Sequence, residues 1–143
     1  MKIKFLFDNE TLKIFEEINK GWSLDKKYYI QTDNYQEFLM RTSPIETFDR
    51  KRIEFKKMKE IFSLGIPMST PLDLNIHEEV VQSLFTWVEG NDAKEVLPKL
   101  KKEKQYKLGY QSGKILKKIH SLPAPSKYDV VGKILWTKNR SQY

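Results

Sequence analysis

The chain has 143 residues, enough for one domain and tight for two. Hydrophobic residues make up 39% and aromatics 13%, so a core can form, and the 31% charged residues do not signal disorder beside that many aromatics. The formal net charge is +7, there is no cysteine and there are two histidines. That composition excludes disulfide scaffolds, thiolate zinc sites and cysteine nucleophiles, and it argues against a multi-histidine metal centre. No apolar run approaches the roughly 18 residues of a membrane span. The apolar start ends at Phe7 and meets Asp8 and Glu10, too short and too soon acidic for a secretory signal, so a cytoplasmic setting is expected.

The first third of the chain reads as strands. Lys13 to Asn19 is one, broken by Lys20-Gly21-Trp22-Ser23. Lys27 to Thr32 is rich in β-formers, Asp33-Asn34 marks a turn, and Tyr35 to Arg41 resumes a strand. Ser43-Pro44-Ile45-Glu46 then reads as a helix start, with a capping serine, proline first and glutamate third. Phe55, Met58 and Phe62, with Ile61 beside them, form its apolar face. Gly65 and Pro67 end it. Strands return at Leu72 to Ile76 and Val80 to Val88 around the turn His77-Glu78-Glu79. Gly90-Asn91-Asp92 is a break. Asn91 or Asp92 caps a short helix through Leu97, and a longer helix runs from about Lys101 to His120, where Pro123 and Pro125 stop it. Leu108, Ser112, Ile115 and Ile119 share one face of this helix, and Gly109 and Gly113 beside it would admit a close neighbour. Three strands, a helix, two strands and then helices make an α+β fold, with a sheet of about five antiparallel strands, rather than a wound parallel sheet.

Three stretches can carry chemistry. Gly21-Trp22-Ser23-Leu24-Asp25-Lys26-Lys27 lies at a hairpin tip, where backbone N–H groups can meet phosphate. An ordinary β-turn with a solvated lysine pair is the alternative. Arg41 ends an apolar strand, and Glu54 shares a helix edge with Met58 and Ile61, so the two are expected to pair on the sheet side of the helix. Such a pair can hold a cation in place for phosphate. The alternative is a charged surface helix. Leu84-Phe85-Thr86-Trp87-Val88-Glu89-Gly90 is a strand ending in glycine, either a hinge between two lobes or a buried strand leaving its sheet. Gly109-Tyr110-Gln111-Ser112-Gly113-Lys114 is no P-loop, because its spacing is short, Ile115 replaces Ser/Thr and the stretch is helical. His77 and His120 lack companions and read as a turn histidine and a helix-end histidine. Asn9-Glu10-Thr11 and Asn139-Arg140-Ser141 fit a glycosylation pattern that has no meaning without secretion. From Lys114 to Tyr143 there are seven basic residues and one acid, Asp129, giving +6 of the +7. The basic residues crowd this tail and solvent faces of helices instead of interleaving with aromatics, so nucleic acid is the least favoured partner.

Taken in order, Lys20-Gly21-Trp22-Ser23-Leu24-Asp25-Lys26-Lys27-Tyr28, Phe38-Leu39-Met40-Arg41, Glu54-Phe55-Lys56-Lys57-Met58, Leu64-Gly65-Ile66-Pro67-Met68-Ser69 and Trp87-Val88-Glu89-Gly90 resemble the aminoglycoside phosphotransferase family, which has a protein-kinase-like fold. Leu108-Gly109, the run Gly113 to His120 and Pro123-Ala124-Pro125 extend the resemblance to residues 13 to 125. The resemblance implies an N-lobe over 1–88, a hinge at 89–91, the start of a helical C-lobe over 92–126 and a divergent basic tail over 127–143. It implies ATP or GTP as phosphoryl donor, with Gly21, Trp22, Ser23 and Asp25 in the nucleotide-covering hairpin. Arg41 then stands at the basic position that contacts the α- and β-phosphates, and Glu54 at the glutamate that orients it. Phe85 is the gatekeeper behind the base, and Thr86 and Val88 offer backbone groups to its edge. The family's His-Gly-Asp loop, its following asparagine and its later metal-binding aspartate have no counterpart here. Mg²⁺ is therefore expected only with the missing part of the C-lobe. The resemblance implies a truncated small-molecule kinase whose complete form phosphorylates a hydroxyl of an aminoglycoside or related compound. A non-catalytic lobe that holds nucleotide or a partner is the alternative. The partners it implies are a nucleotide and either a complementing C-lobe chain or a second copy.

Overall fold

The computed structural model describes residues 12–21 and 23–123. Trp22, Asp129, the basic tail and both Asn-x-Thr/Ser tripeptides lie outside the described residues. The chain divides into two compact units, Met1–Leu100 and Lys101–Tyr143.

In the first unit β1 (Leu12–Glu17), β2 (Lys26–Thr32) and β3 (Glu37–Pro44) form an antiparallel meander. A single turn of 3-10 helix, Ile45–Thr47, leads into α1 (Phe48–Ser63). The hairpin of β4 (Pro71–His77) and β5 (Val80–Thr86) completes a five-stranded antiparallel sheet of order β1-β2-β3-β5-β4. This is the expected α+β architecture, compatible with a kinase-like N-lobe. The short helix α2 (Ala93–Val96) follows, with Asp92 as its cap: the carboxylate accepts from the Lys94 N–H at 2.9 Å.

The ladder register separates two faces. Tyr28 faces Met40, Ile30 faces Phe38, and Met40 faces Leu84. Directly opposed residues share a face, so Ile30, Met40 and Leu84 form one buried cluster, with Tyr28, Phe38, Leu12 and Leu72 packed on it. The other face carries Leu39 opposite Phe85, Arg41 opposite Ser83 and Ser43 opposite Val81. Helix α1 packs on that second face, where Phe55 meets Phe85 at 5.8 Å between ring centroids.

The start of α1 departs from the expected cap. Ser43 is buried in the β3–β5 ladder, Pro44 is extended with ψ 148°, and the α-helix begins at Phe48 with no side-chain cap bond at Thr47. A residue before proline is held out of the helical region. Ser43 therefore extends the strand, and the Thr47 hydroxyl donates to the Pro44 carbonyl instead, at 2.7 Å. The inward stripe of α1 also differs. Lys51 and Phe55 are its buried residues, while Phe62 is 42% exposed. The end is as expected: Gly65, at φ +70°, donates its N–H to the Phe62 carbonyl at 2.9 Å.

The second unit contains α3 (Lys102–Ile119), with His120 as its C-terminal cap. Ile115 and Ile119 are half-buried, and Tyr106 stacks on Tyr110. No helix among the described residues is long and apolar enough to cross a membrane.

The β4–β5 hairpin turns through Glu78 at φ 47° and Glu79 at φ 64°. Two successive left-handed residues make the two-residue turn that suits a twisted hairpin, yet glutamate is strained in both positions. Glu79→Gly should therefore raise the unfolding free energy by about 0.5–1 kcal/mol in urea titration. A loss of stability would show that the turn is not held in this conformation.

Candidate functional site

The loop from β1 to β2 passes Gly21 at φ +96°, where a side chain would sit 3.3 Å from the Lys27 Nζ. Lys27 is not simply solvated. Its ammonium donates to the Lys20 carbonyl at 2.8 Å and clips the loop to the start of β2. Next, the Ser23 hydroxyl accepts from the Asp25 N–H at 3.1 Å, which turns the Asp25 side chain inward.

Asp25 is the centre of the charged site. Its Oδ2 accepts from Arg41 Nη2 at 2.6 Å and from Lys51 Nζ at 2.7 Å. The Asp25 side chain is 7% exposed and that of Lys51 10%. Arg41 Nη2 also donates to the Ser23 hydroxyl at 3.2 Å. One carboxylate thus joins the hairpin loop, a central strand and the helix. Burial is the largest single influence on the Asp25 carboxyl and pushes its pKa up. The hydrogen bond and charge of Lys51, with Arg41 and Ser23, together outweigh it and leave the pKa below its ordinary 3.8.

Arg41 and Glu54 do not pair with each other. Arg41 takes Asp25, and Glu54 lies 3.6 Å from Lys51 and 3.7 Å from Arg50, with its side chain 51% exposed. The reason is reach: Lys51 stands one turn earlier on α1, at the buried stripe, between the helix glutamate and the strand arginine. Both residues nevertheless border the same small cavity, of about 20 Å³. Lys51, Phe55 and Met58 from α1 and Ser83 and Phe85 from β5 line the rest. That volume holds one water-sized group, not a nucleotide. The Arg41 Nε is buried and has no hydrogen-bond partner among the described residues, an unused donor on a side chain that borders the cavity.

Further along the same face, towards the end of β5, the Tyr29 hydroxyl donates to Glu37, and Gln31 reaches both at 3.4 Å. The bond to Glu37, then burial, pushes the Tyr29 pKa up to about 12. The Tyr29 ring meets Trp87 edge-on at 4.9 Å. Phe85 is buried. Thr86 donates its N–H to the Thr70 carbonyl at 3.1 Å, and its hydroxyl accepts from the Thr70 N–H at 2.9 Å. Val88, just past β5, is exposed. Of the sequence candidates, Ser23, Asp25 and Arg41 are therefore joined in one network, with Glu54 and Phe85 on the adjoining cavity. Gly21 shapes the loop, and Thr86 and Val88 sit at the strand's exit. Lys51, Tyr29 and Glu37 were not among the candidates. The signal for Lys51 was its spacing from Phe55 and Met58, four and seven residues on.

No group of three histidine, aspartate, glutamate or cysteine side chains gathers among the described residues. This geometry is a sheet-and-helix lobe with two cations on one buried carboxylate beside a buried aromatic, compatible with a kinase-like N-lobe. The chain matches the phosphotransferase enzyme family model, APH, over residues 14–138, and it belongs to that family. Among curated proteins, none matches it.

The depressed Asp25 pKa fixes a pH dependence. The folded chain keeps this carboxylate ionised where the unfolded chain has already bound a proton. Its stabilisation is full above the ordinary 3.8 and is lost as pH falls through the lower folded value. Urea titrations between about pH 2 and pH 6 should give a steeper acid loss for the parent chain than for Asp25→Asn. Coincident acid limbs would mean that Asp25 is not held as a paired carboxylate.

Proposed function

We propose that this chain supplies the nucleotide-gripping lobe of a small-molecule kinase. The reaction class is transfer of the γ-phosphate of ATP or GTP to a hydroxyl of an aminoglycoside or related compound. The observation that carries this reading is the position of Arg41: on a central strand, opposite Ser83, with its Nη2 on Asp25 and its side chain bordering the cavity. A guanidinium fixed in that way is suited to polyphosphate oxygens, which it can bind through two N–H groups at once.

The other roles follow from place. The loop carrying Gly21, Ser23 and Asp25 covers the phosphates, with Trp22 in the same loop. Phe85 backs the base, its ring fixed by Phe55. The Thr86 N–H is engaged by Thr70, so at the base edge Thr86 offers its backbone C=O and Val88, beyond the strand end, its N–H. Glu54 acts on Arg41 indirectly, as a counter-charge to Lys51.

Phosphoryl transfer also needs a base for the acceptor hydroxyl and ligands for magnesium. No His-Gly-Asp triplet occurs in these 143 residues: Glu78 follows His77, and Ser121 follows His120. The chain therefore grips nucleotide without turnover. The base, the metal ligands and the acceptor site come from residues outside this sequence, on a complementing lobe. The setting that suits such a reaction is the cytoplasm, where ATP and GTP are held.

Equilibrium binding tests this reading. Fluorescence titration of the chain with ATP and with GTP should give saturable binding, and Arg41→Met should weaken it about tenfold or more. Arg41→Lys should recover part of the loss. Transfer of phosphate to a panel of aminoglycosides and macrolides should stay at background. Binding that Arg41→Met leaves unchanged would refute the phosphate role, and turnover would reveal a catalytic base in this chain.

A further inference from the structure

We infer that Lys51 is a second phosphate-binding cation, and that the Asp25 carboxylate holds the place between Lys51 and Arg41 that a phosphate group of a nucleoside triphosphate takes. This deepens the proposed nucleotide grip and rests on it.

A single oxygen, Asp25 Oδ2, accepts from both cations at 2.6 and 2.7 Å. Two cations converging on one oxygen is also the arrangement that holds a phosphate oxygen. The carboxylate fills that position incompletely. It leaves the Arg41 Nε buried and without a hydrogen-bond partner among the described residues, whereas a phosphate group brings further oxygens that can bond Nη2 and the Lys51 ammonium together, and Nε once the carboxylate has moved aside.

The three members are not equally fixed. Arg41 is on β3, paired on both sides by β2 and β5. Lys51 is on α1, one turn before Phe55, whose ring is packed on Phe85. Glu54 remains 3.6 Å from Lys51 as a counter-charge if Asp25 departs. Asp25 alone belongs to a loop, and the described neighbours before it, Gly21, Ser23 and Leu24, are all exposed. Moving that loop uncovers no apolar residue among them, so Asp25 is the member that yields. Nucleotide binding is then an exchange of anions: phosphate replaces carboxylate and the loop lifts. Lys51 stays behind as a ligand that the Arg41–Glu54 pairing expected from sequence leaves out.

The alternative role for Asp25, a fixed orienter of Arg41 and Lys51, predicts the opposite response. The test uses the 143-residue chain at low salt with two probes, sodium tripolyphosphate and ATP, and reads affinity by calorimetry and fold by circular dichroism. Asp25→Asn should bind tripolyphosphate about tenfold more tightly than the parent, and Lys51→Met about tenfold more weakly, with Lys51→Arg close to the parent. Unchanged or weaker binding by a folded Asp25→Asn chain overturns the inference. A measurement on the parent chain decides the case if that variant does not fold. The carboxyl-carbon NMR signal of Asp25 should shift as tripolyphosphate is added, and a signal that stays fixed at saturation overturns the inference. The two probes separate this claim from the reading beneath it. Tripolyphosphate that responds to both substitutions while ATP binds no better supports the phosphate site and removes the nucleotide. ATP binding indifferent to both substitutions keeps the nucleotide and removes this site. Absence of binding by either probe removes both.

Discussion

The Asp25 carboxylate, shared by Arg41 and Lys51, is the interaction on which the first unit's functional face depends. Its partners lie 16 and 26 residues away, on β3 and on α1, while the aromatic contact of α1, Phe55 on Phe85, is with the neighbouring strand β5. A carboxylate this far withdrawn from water is costly unless it is paired and hydrogen-bonded. Here the Lys51 ammonium, the Arg41 guanidinium and the Ser23 hydroxyl supply the compensation. Charge-assisted bonds of this kind contribute about 1.5–3 kcal/mol each, and removing one partner strands a buried charge.

The division of the sheet explains why such a cluster is tolerated. Ile30, Met40 and Leu84 place apolar burial on one face, with hydrogen-bonded Thr32 buried at the end of β2. The opposite face combines Phe85 and Phe55 with Arg41, Ser83 and Lys51. Apolar burial thus occurs on both faces, with Val81, Phe85 and Phe55 on the second, and the charged cluster is set beside that second apolar patch. The Tyr29–Glu37–Gln31 group continues this polar strip towards Trp87 and the exit of β5.

Much of this was legible in the sequence. The strands, the break at Gly90-Asn91-Asp92 and the long second helix follow from β-former runs, turn residues and apolar spacing, and they lie within a few residues of their expected places. Arg41, Glu54, Phe85 and the hairpin loop were legible because each belongs to an ordered set of motifs. The pairing was not. Asp49-Arg50-Lys51-Arg52 offers three adjacent cations, and composition does not say which one turns inward. Only the four- and seven-residue spacing to Phe55 and Met58 marks Lys51 as the inward one. The Asp25–Arg41 contact depends on the β2–β3 register, in which Lys27 faces Arg41 and brings Asp25 alongside. Register is a tertiary property that a one-residue slip would invert. Ser43 misled for a local reason: it fits a cap by type, but the proline after it holds it in the strand.

The central claim, that one carboxylate couples the helix cation to the hairpin loop, is tested most directly by a double-mutant cycle. Unfolding free energies of the parent, Asp25→Asn, Lys51→Met and the double variant are measured in urea at neutral pH. Shared contact predicts a coupling of about 1–3 kcal/mol, with the double variant losing less than the sum of the single losses. Single losses that add to the double loss would show that Asp25 and Lys51 act independently, contradicting the account.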